Sequence, residues 1–116
     1  MTIILDSDVL IALLRGYGPA IAWDAKHKRY ATAVPSIVIM EVQQGCLDKR
    51  HQQRVLKELK DFSLAHVTPQ DSVLALQMHK SYALSHGMSI PDAFVAAIAV
   101  NRGSTLLTQN ISTLGS

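Results

Sequence analysis

The sequence is poor in cysteine, aromatic residues and charge, and each shortage excludes a class of protein. Cys46 is the single cysteine among 116 residues, which excludes an internal disulfide and argues against a cysteine-based zinc site. Charged residues make up 17% of the chain and the net charge is +2, so charge alone does not indicate a polyanionic partner. Apolar runs are shorter than the roughly 18 residues of a membrane span.

The amino terminus also lacks the features of a secretory signal. Its apolar stretch is interrupted by Asp6 and Asp8, and no basic segment precedes it. We therefore expect a cytoplasmic protein with no membrane partner. Hydrophobic residues make up 48% of the chain, and no linker or repeat divides it. Because one domain typically has about 100–200 residues, residues 1–116 are predicted to form a single domain.

Short apolar runs alternate with helical patterns along the chain. Strands are predicted at 2–5, 30–34, 62–67 and 105–107. Helices are predicted at 9–14, 19–30, 37–44, 48–61, 69–86 and 90–101, with Ser7 or Asp8 capping the first and Ser36 the third. Strands that alternate with helices are typical of βα crossovers. The pattern therefore predicts an α/β fold with a parallel sheet and helices on both faces.

The nine acidic residues fall into two groups. Five lie in polar stretches and are predicted to be solvated: Asp24, Asp48, Glu58, Asp61 and Asp71. Four lie in apolar surroundings: Asp6, Asp8, Glu41 and Asp92. The second group contains the candidate functional carboxylates.

Three of these acids belong to separate predicted elements. Asp6 follows the first strand, and open parallel sheets bind ligands beyond the carboxyl ends of their strands. Glu41 has apolar helical neighbours, and a carboxylate among apolar groups is costly to bury unless it is paired or bound to metal. Asp92 begins an alanine-rich helix. Each of these acids also has a purely structural explanation. Asp6 or Asp8 could cap a helix, and Glu41 could lie at the solvent-exposed end of its helix. Asp92 could be stabilised by the helix dipole in the first turn of its helix.

Convergence of Asp6, Glu41 and Asp92 at one end of the sheet would have a chemical consequence. Crowded carboxylates repel one another and raise one another's pKa. A hard divalent cation removes that repulsion, and ligands that are all oxygen favour Mg²⁺ or Mn²⁺. A metal held in this way can activate water and neutralise a phosphate. The hypothesis is therefore hydrolysis of a phosphodiester.

Four segments carry a resemblance to a known family. They read IILDSDVLI at 3–11, IVIMEV at 37–42 followed by Gly45, GMSIPDAFVAA at 87–97 and TLLTQN at 105–110. In this order and spacing the chain resembles the PIN-domain ribonucleases, and most of all the VapC-type toxins of bacterial toxin–antitoxin pairs. The resemblance spans nearly the whole chain.

The resemblance implies a three-layer α/β/α sandwich with a central parallel sheet. It also implies an endoribonuclease that depends on Mg²⁺ or Mn²⁺, with Asp6, Glu41 and Asp92 as the catalytic, metal-binding acids. Asp8, Thr108 and Asn110 are auxiliary candidates beside them. The implied partners are RNA, a cognate antitoxin protein that covers the site, and a second copy of the chain in a homodimer.

The chain departs from the family pattern at three points. Thr113 occupies the position of a frequent fourth acid, and Asp8 occupies one where Asn is common. The chain also ends before the strand that usually closes the family's sheet. These departures leave a second metal position in doubt.

The remaining candidates are basic residues and histidines. Between Asp24 and Lys60 eight bases stand against four acids, and an RNA-facing patch there would include Lys49, Arg50, Arg54 and Lys57. A solvated helix surface is the alternative. The histidines show no metal-type spacing and are expected at the surface or partly buried: His27, His51, His66, His79 and His86.

Two alternative functions remain open. A PIN-like fold could persist as an interaction module with little or no catalysis, because Thr113 replaces an acid. The stretch LDSDV at 5–9 also matches the Asp-x-Asp start of haloacid-dehalogenase-like phosphatases, in which Asp6 would be the nucleophile and Asp8 the general acid.

Overall fold

The computed structural model describes residues 2–16 and 31–108. The strands are β1 (Thr2–Leu5), β2 (Ala31–Pro35), β3 (Ser63–Ala65) and β4 (Thr105–Leu107). The helices are α1 (Ser7–Leu14), α2 (Ser36–Gln44), α3 (Lys49–Glu58), α4 (Pro69–His86) and α5 (Ile90–Asn101), and a 3₁₀ turn at Leu59–Asp61 follows α3. The predicted helix at 19–30 and the positions Asn110 and Thr113 lie outside the described residues.

The four strands form one parallel sheet in the order β3–β2–β1–β4. The helices flank this sheet, so the predicted α/β/α sandwich with a central parallel sheet is confirmed. Within the described part of the chain, no helix is both long and apolar enough to cross a lipid bilayer.

The core lies between the central strands and the helices that cover them. Ile4 and Leu5 of β1 are fully buried, as are Leu10 of α1 and Ile98 of α5. A continuous apolar strand is expected where both faces of a parallel sheet are covered, which explains the β-branched run of β1. Burial of such side chains contributes about 1.5–3 kcal/mol each.

A second, smaller cluster joins α4 to α5. It is built around Ala75, Ala93 and Ala97, all of which are buried. Small side chains let two helix backbones approach closely. The position of α5, and with it that of Asp92, is set by this contact and by the main core.

Several predicted helix ends are wrong in detail. The residue that caps α1 is Asp6, not Ser7 or Asp8, because its carboxylate accepts the Ser7 backbone N–H at 2.7 Å. Ser36 is the first residue of α2 instead of its cap, and Pro35 precedes it without a side-chain hydrogen bond. The predicted helix 48–61 ends at Glu58 and continues only as the 3₁₀ turn.

The third strand is shorter than predicted. Residues 62–67 were expected to be extended, and the strand covers Ser63–Ala65. The reason lies in its partner, because Ala65 pairs with Pro35, where β2 ends. A strand at the edge of a sheet loses its ladder where its single neighbour stops.

The prediction that Asp71 is solvated is wrong. Asp71 is 2% exposed and accepts a hydrogen bond from Asn101 Nδ2 at 2.8 Å. It also forms a reciprocal capping box with Thr68 at the start of α4. Burial by itself would raise the pKa of Asp71, but the hydrogen bonds from Thr68 and Asn101 and the charge of Arg102 outweigh it and hold the pKa below its usual value.

Candidate active site

The site is built at the carboxyl edge of the sheet, where β1 and β4 end side by side. The backbone N–H of Asp6 donates to the carbonyl of Leu107 at 3.0 Å, which links the residue after β1 to the last residue of β4. Thr108 comes directly after β4 and is buried, with 8% of its surface exposed. The parallel arrangement therefore brings Asp6 and Thr108, about 100 residues apart in sequence, to one place.

Asp6 is the most constrained of the candidate carboxylates. It is partly buried, caps α1 and accepts a hydrogen bond from the side chain of Thr108. Burial raises its pKa, and the charges of Asp8 and Asp92 raise it further, while the bonds from Ser7 and Thr108 lower it. The net pKa is above the usual value, so ionised Asp6 is under electrostatic strain.

Glu41 reaches the same charge cluster from the middle of α2. It is partly buried, and its pKa is raised first by that burial and then by Asp6, Asp92 and Asp8. Carboxylates from β1–α1 and from α5 thus add to the effect of burial on Glu41. Asp8 thus takes part electrostatically, as a partly buried residue in the first turn of α1.

Asp92 has a structural role as well as a place in this cluster. Its backbone N–H donates to Ser89 Oγ at 3.2 Å, and its Oδ2 accepts the Ser89 N–H at 3.4 Å. This capping box stabilises the first turn of α5 and so fixes the backbone position of Asp92. The carboxylate is exposed, which leaves it accessible from solvent.

In the part of the chain that the structure describes, two cavities adjoin the carboxylates. One, of about 200 Å³, is lined by Asp6, Asp92 and Thr108 and also by His86 of α4. The other, of about 310 Å³, is lined by Glu41 together with residues of α1 and α3. The structure therefore places Asp6 and Asp92 in the wall of one cavity and Glu41 in the wall of the other. The negative charges of Asp6 and Asp92 still raise the pKa of Glu41.

The chemistry of the donors fits a hard divalent cation. Asp6, Glu41 and Asp92 offer only oxygen, and their mutual repulsion is the penalty that such an ion would relieve. Among residues 2–16 and 31–108, however, no group of three or more His, Cys, Asp or Glu side chains stands in a metal-binding arrangement. The described carboxylates are thus electrostatically coupled but are not drawn together as a closed ligand set.

The four basic residues predicted to contact RNA all lie on α3, and they differ in whether they line a cavity. Arg54 lines the cavity of Glu41, and Lys49, Arg50 and Lys57 do not. All four are exposed.

Sequence reasoning overlooked three residues that line the two cavities. His86 shares the pocket of Asp6 and Asp92, and Arg15 and His51 share that of Glu41. His86 was recognisable only by its place just before Gly87, the left-handed residue that ends α4 and precedes the Asp92 segment. Arg15 and His51 carry no local signal, because the cavity forms only when α1 packs beside α2 and α3.

Several solved structures of similar fold are toxin–antitoxin complexes. VapBC2 from Rickettsia felis, bound to a DNA fragment from its promoter, superposes with a TM-score of 0.81 at 20% identity and covers 98% of this chain and 92% of that one. A toxin–antitoxin complex from Klebsiella pneumoniae gives 0.76 at 24% identity, covering 92% and 85%. VapBC from Salmonella typhimurium bound to DNA gives 0.77 at 15% identity, covering 100% and 92%.

These likenesses show the fold. No curated protein matches the sequence at a significant level. The family model of the PIN domain matches residues 3–112, which is nearly the whole chain and includes Asp6, Glu41 and Asp92. The four motifs, the parallel sheet and this match agree, and the chain belongs to the PIN-domain family.

Proposed function

We propose that the protein is a divalent-metal-dependent endoribonuclease and the toxin of a toxin–antitoxin pair. One observation carries the proposal: Asp6, Glu41 and Asp92 come from three separate elements, and the pKa values of Asp6 and Glu41 are raised first by burial and then by the charges of the other acids. A protein gains no stability from placing partly buried carboxylates within electrostatic range of one another, so this placement argues for a ligand of opposite charge.

The family supports this reading. PIN domains of VapC toxins are generally nucleases that use divalent metal ions. The three solved structures of similar fold described above are toxin–antitoxin complexes. The membership in this family and the interacting charges of Asp6, Glu41 and Asp92 together favour hydrolysis of a phosphodiester over other reactions of a carboxylate site.

Each residue has a specific part in the proposed chemistry. Asp6, Glu41 and Asp92 would hold Mg²⁺ or Mn²⁺, which when bound supplies an activated water and neutralises charge on the phosphate. Thr108 positions the Asp6 carboxylate through its hydrogen bond, and Asp8 adds negative charge beside it. Asn110 stays a predicted auxiliary residue. Lys49, Arg50, Arg54 and Lys57 would contact RNA phosphates, which carry affinity more than sequence preference.

The decisive experiment combines metal removal with single substitutions. Purified protein is incubated with RNA in Mn²⁺, in Mg²⁺ or in EDTA, using wild type, Asp6→Asn, Glu41→Gln and Asp92→Asn. We expect cleavage by wild type in metal, none in EDTA, and a loss of at least about 100-fold in each variant. Asp61→Asn, an exposed acid in the 3₁₀ turn, is the matched control and should cleave like wild type.

Cleavage that persists in EDTA, or that survives Asp6→Asn or Asp92→Asn, would contradict the proposal. A wild type that cleaves no RNA at any concentration of Mg²⁺ or Mn²⁺ would favour a non-catalytic interaction module. The open arrangement of the described carboxylates is the observation that keeps this second function in view.

The proposed partners are a cognate antitoxin that covers the site and a second copy of the chain. Large apolar side chains on α4 stand exposed, among them Leu76 at 75% and Leu84 fully exposed, and a protein partner would bury them. Light scattering of the purified chain tests the homodimer. A monomer at all concentrations would exclude it.

A further inference from the structure

The cavity that contains Glu41 has a mixed lining that the proposed hydrolysis does not use. Its volume is about 310 Å³, within the size range of small-ligand pockets. Apolar side chains such as Leu14 and Val55 line part of it, and its charged or titratable lining includes the acids Glu41 and Glu58 and three basic residues, namely Arg15, His51 and Arg54. We call it the arginine cavity.

The basic residues come from two elements that meet there. Arg15 directly follows α1, and Arg54 lies in the middle of α3. Neither guanidinium forms an ion pair with another residue of the described ranges, although Glu41 and Glu58 also line the cavity. Two guanidinium groups that have no ion-pair partner among residues 2–16 and 31–108 therefore border one concave surface.

His51 adds a donor whose tautomer is set by the backbone. The Leu47 N–H donates to His51 Nδ1 at 3.1 Å, so the neutral ring carries its proton on Nε2. The His51 N–H is itself held by the Asp48 carboxylate at 2.8 Å, which fixes the first turn of α3. The ring is thus anchored through one nitrogen and keeps a hydrogen-bond donor on the other.

Glu41 connects the arginine cavity to the carboxylate cluster. It lines the cavity and at the same time is acted on by Asp6 and Asp92. A polyanion with one phosphate at the carboxylates would therefore bring its neighbouring groups toward Arg15 and Arg54. Arginine suits this role because its planar fork matches two phosphate oxygens at once.

We propose that the arginine cavity binds the RNA strand beside the cleaved bond, with Arg15 and Arg54 holding an adjacent phosphate and the apolar wall contacting the attached nucleoside. The inference rests on the proposed function and deepens it by assigning a substrate subsite. RNA fits better than an acidic peptide because phosphates repeat along the strand, so occupation of the carboxylate site places a further phosphate nearby.

The test measures RNA binding without metal, so that it does not depend on catalysis. Fluorescence anisotropy of a labelled RNA oligonucleotide is followed in EDTA over a series of NaCl concentrations. We expect Arg15→Gln and Arg54→Gln each to weaken binding about five- to tenfold for all sequences and to reduce the salt slope by about one. Lys80→Gln, which removes an exposed charge of α4, is the control for net charge and should change affinity less than twofold.

Lys60→Gln provides a second comparison close to α3. Lys60 is exposed in the 3₁₀ turn that follows α3 and does not line the cavity, so its loss should weaken RNA binding clearly less than Arg54→Gln does. Thermal unfolding of each variant checks that the fold is retained.

The outcomes separate this inference from the proposed function. If wild type cleaves RNA but Arg15→Gln and Arg54→Gln bind it no worse than Lys80→Gln, the subsite is refuted and the nuclease stands. If wild type neither binds nor cleaves RNA, both proposals fail.

Discussion

At the scale of single residues, Asp6 combines two demands that usually conflict. Its carboxylate caps α1, which favours folding, and it stands partly buried near Asp8 and Asp92, which opposes ionisation. Because its pKa in the folded state lies above the usual value, its ionisation destabilises the folded protein, and this penalty grows as the pH rises through that pKa. Capping and charge can be separated by substitution.

We predict that Asp6→Asn and Asp6→Ala differ in stability although both abolish RNA cleavage. Asn retains a capping oxygen and removes the charge, so the melting temperature in EDTA at neutral pH should equal or exceed that of wild type. Ala also removes the charge but loses the cap, which costs about 1 kcal/mol, so its melting temperature should lie about 4 °C or more below that of Asp6→Asn. Circular dichroism melts in EDTA measure both variants and wild type. Equal melting temperatures for Asn and Ala would show that the cap contributes nothing, and an Asp6→Asn variant less stable than wild type would show that the charge carries no net penalty.

The residues that local sequence predicts least well are those whose partners are distant. Asp6 and Asp92 were recognisable because each sits at the junction of an apolar segment with a turn. Asp71 was misjudged because its sequence neighbours are polar, while the partner that buries it, Asn101, lies 30 residues further on. Its burial is a property of how α4 and α5 pack.

At the scale of elements, the pair α4 and α5 is held by a part-buried hydrogen bond from Asn101 to Asp71 beside its alanine cluster. Asp71 lies in the first turn of α4, and Asn101 is the last residue of α5. Since the pKa of Asp71 is lowered in the folded state, its ionised form favours folding above its unfolded pKa. That contribution is lost as the pH falls through the folded pKa.

We predict that Asn101→Ala lowers the free energy of unfolding at pH 7 by about 1–3 kcal/mol, because it leaves a buried carboxylate short of a donor. The variant should also lose less stability than wild type when the pH is lowered below the usual Asp range. Urea unfolding at pH 7 and pH 3 measures both effects. Gln53→Ala, an exposed amide on α3, is the control, and an equal pH dependence in Asn101→Ala would contradict the argument.

Element types were predictable and element ends only partly so. The capping boxes at Thr68 and Ser89 begin α4 and α5 where a cap followed by proline predicts a start. Ser36 failed as a cap because the helix already includes it, and β3 ended early because its partner strand stops at Pro35. Local patterns determine which conformation is favourable, while neighbouring elements decide where it ends.

At the scale of the whole molecule, the strand order explains why the charges meet. With β1 between β2 and β4, Asp6 and Thr108 share the carboxyl edge of the sheet, and α2 and α5 bring Glu41 and Asp92 into electrostatic range. The parallel topology thus places these carboxylates where their negative charges repel one another, and a bound cation would relieve that repulsion.

We predict that Mn²⁺ raises the melting temperature of wild type by several degrees at saturation, because a ligand that binds only the folded state stabilises it. At 100 times the dissociation constant the gain is about 2.7 kcal/mol. Glu41→Gln and Asp92→Asn, each compared with itself in EDTA, should lose most of this shift, and Asp61→Asn should keep it. Differential scanning fluorimetry provides the measurement. An undiminished shift in Asp92→Asn would exclude Asp92 as a ligand, independently of RNA cleavage.

The sequence alone determined the α/β class and the order of the described strands and helices, and its four motifs carried the resemblance to the family. It also singled out the four acids whose charges interact in the folded chain, Asp6, Asp8, Glu41 and Asp92. The class, the element order and the candidate acids follow from short-range patterns: apolar period, caps, and carboxylates in or beside apolar runs. Tertiary structure alone decided the burial of Asp71, the separation of Glu41 from Asp6 and Asp92 into different cavities, and the meeting of Arg15 with Arg54. Each of these depends on the distance between side chains far apart along the chain, which is settled only when the helices pack on the sheet.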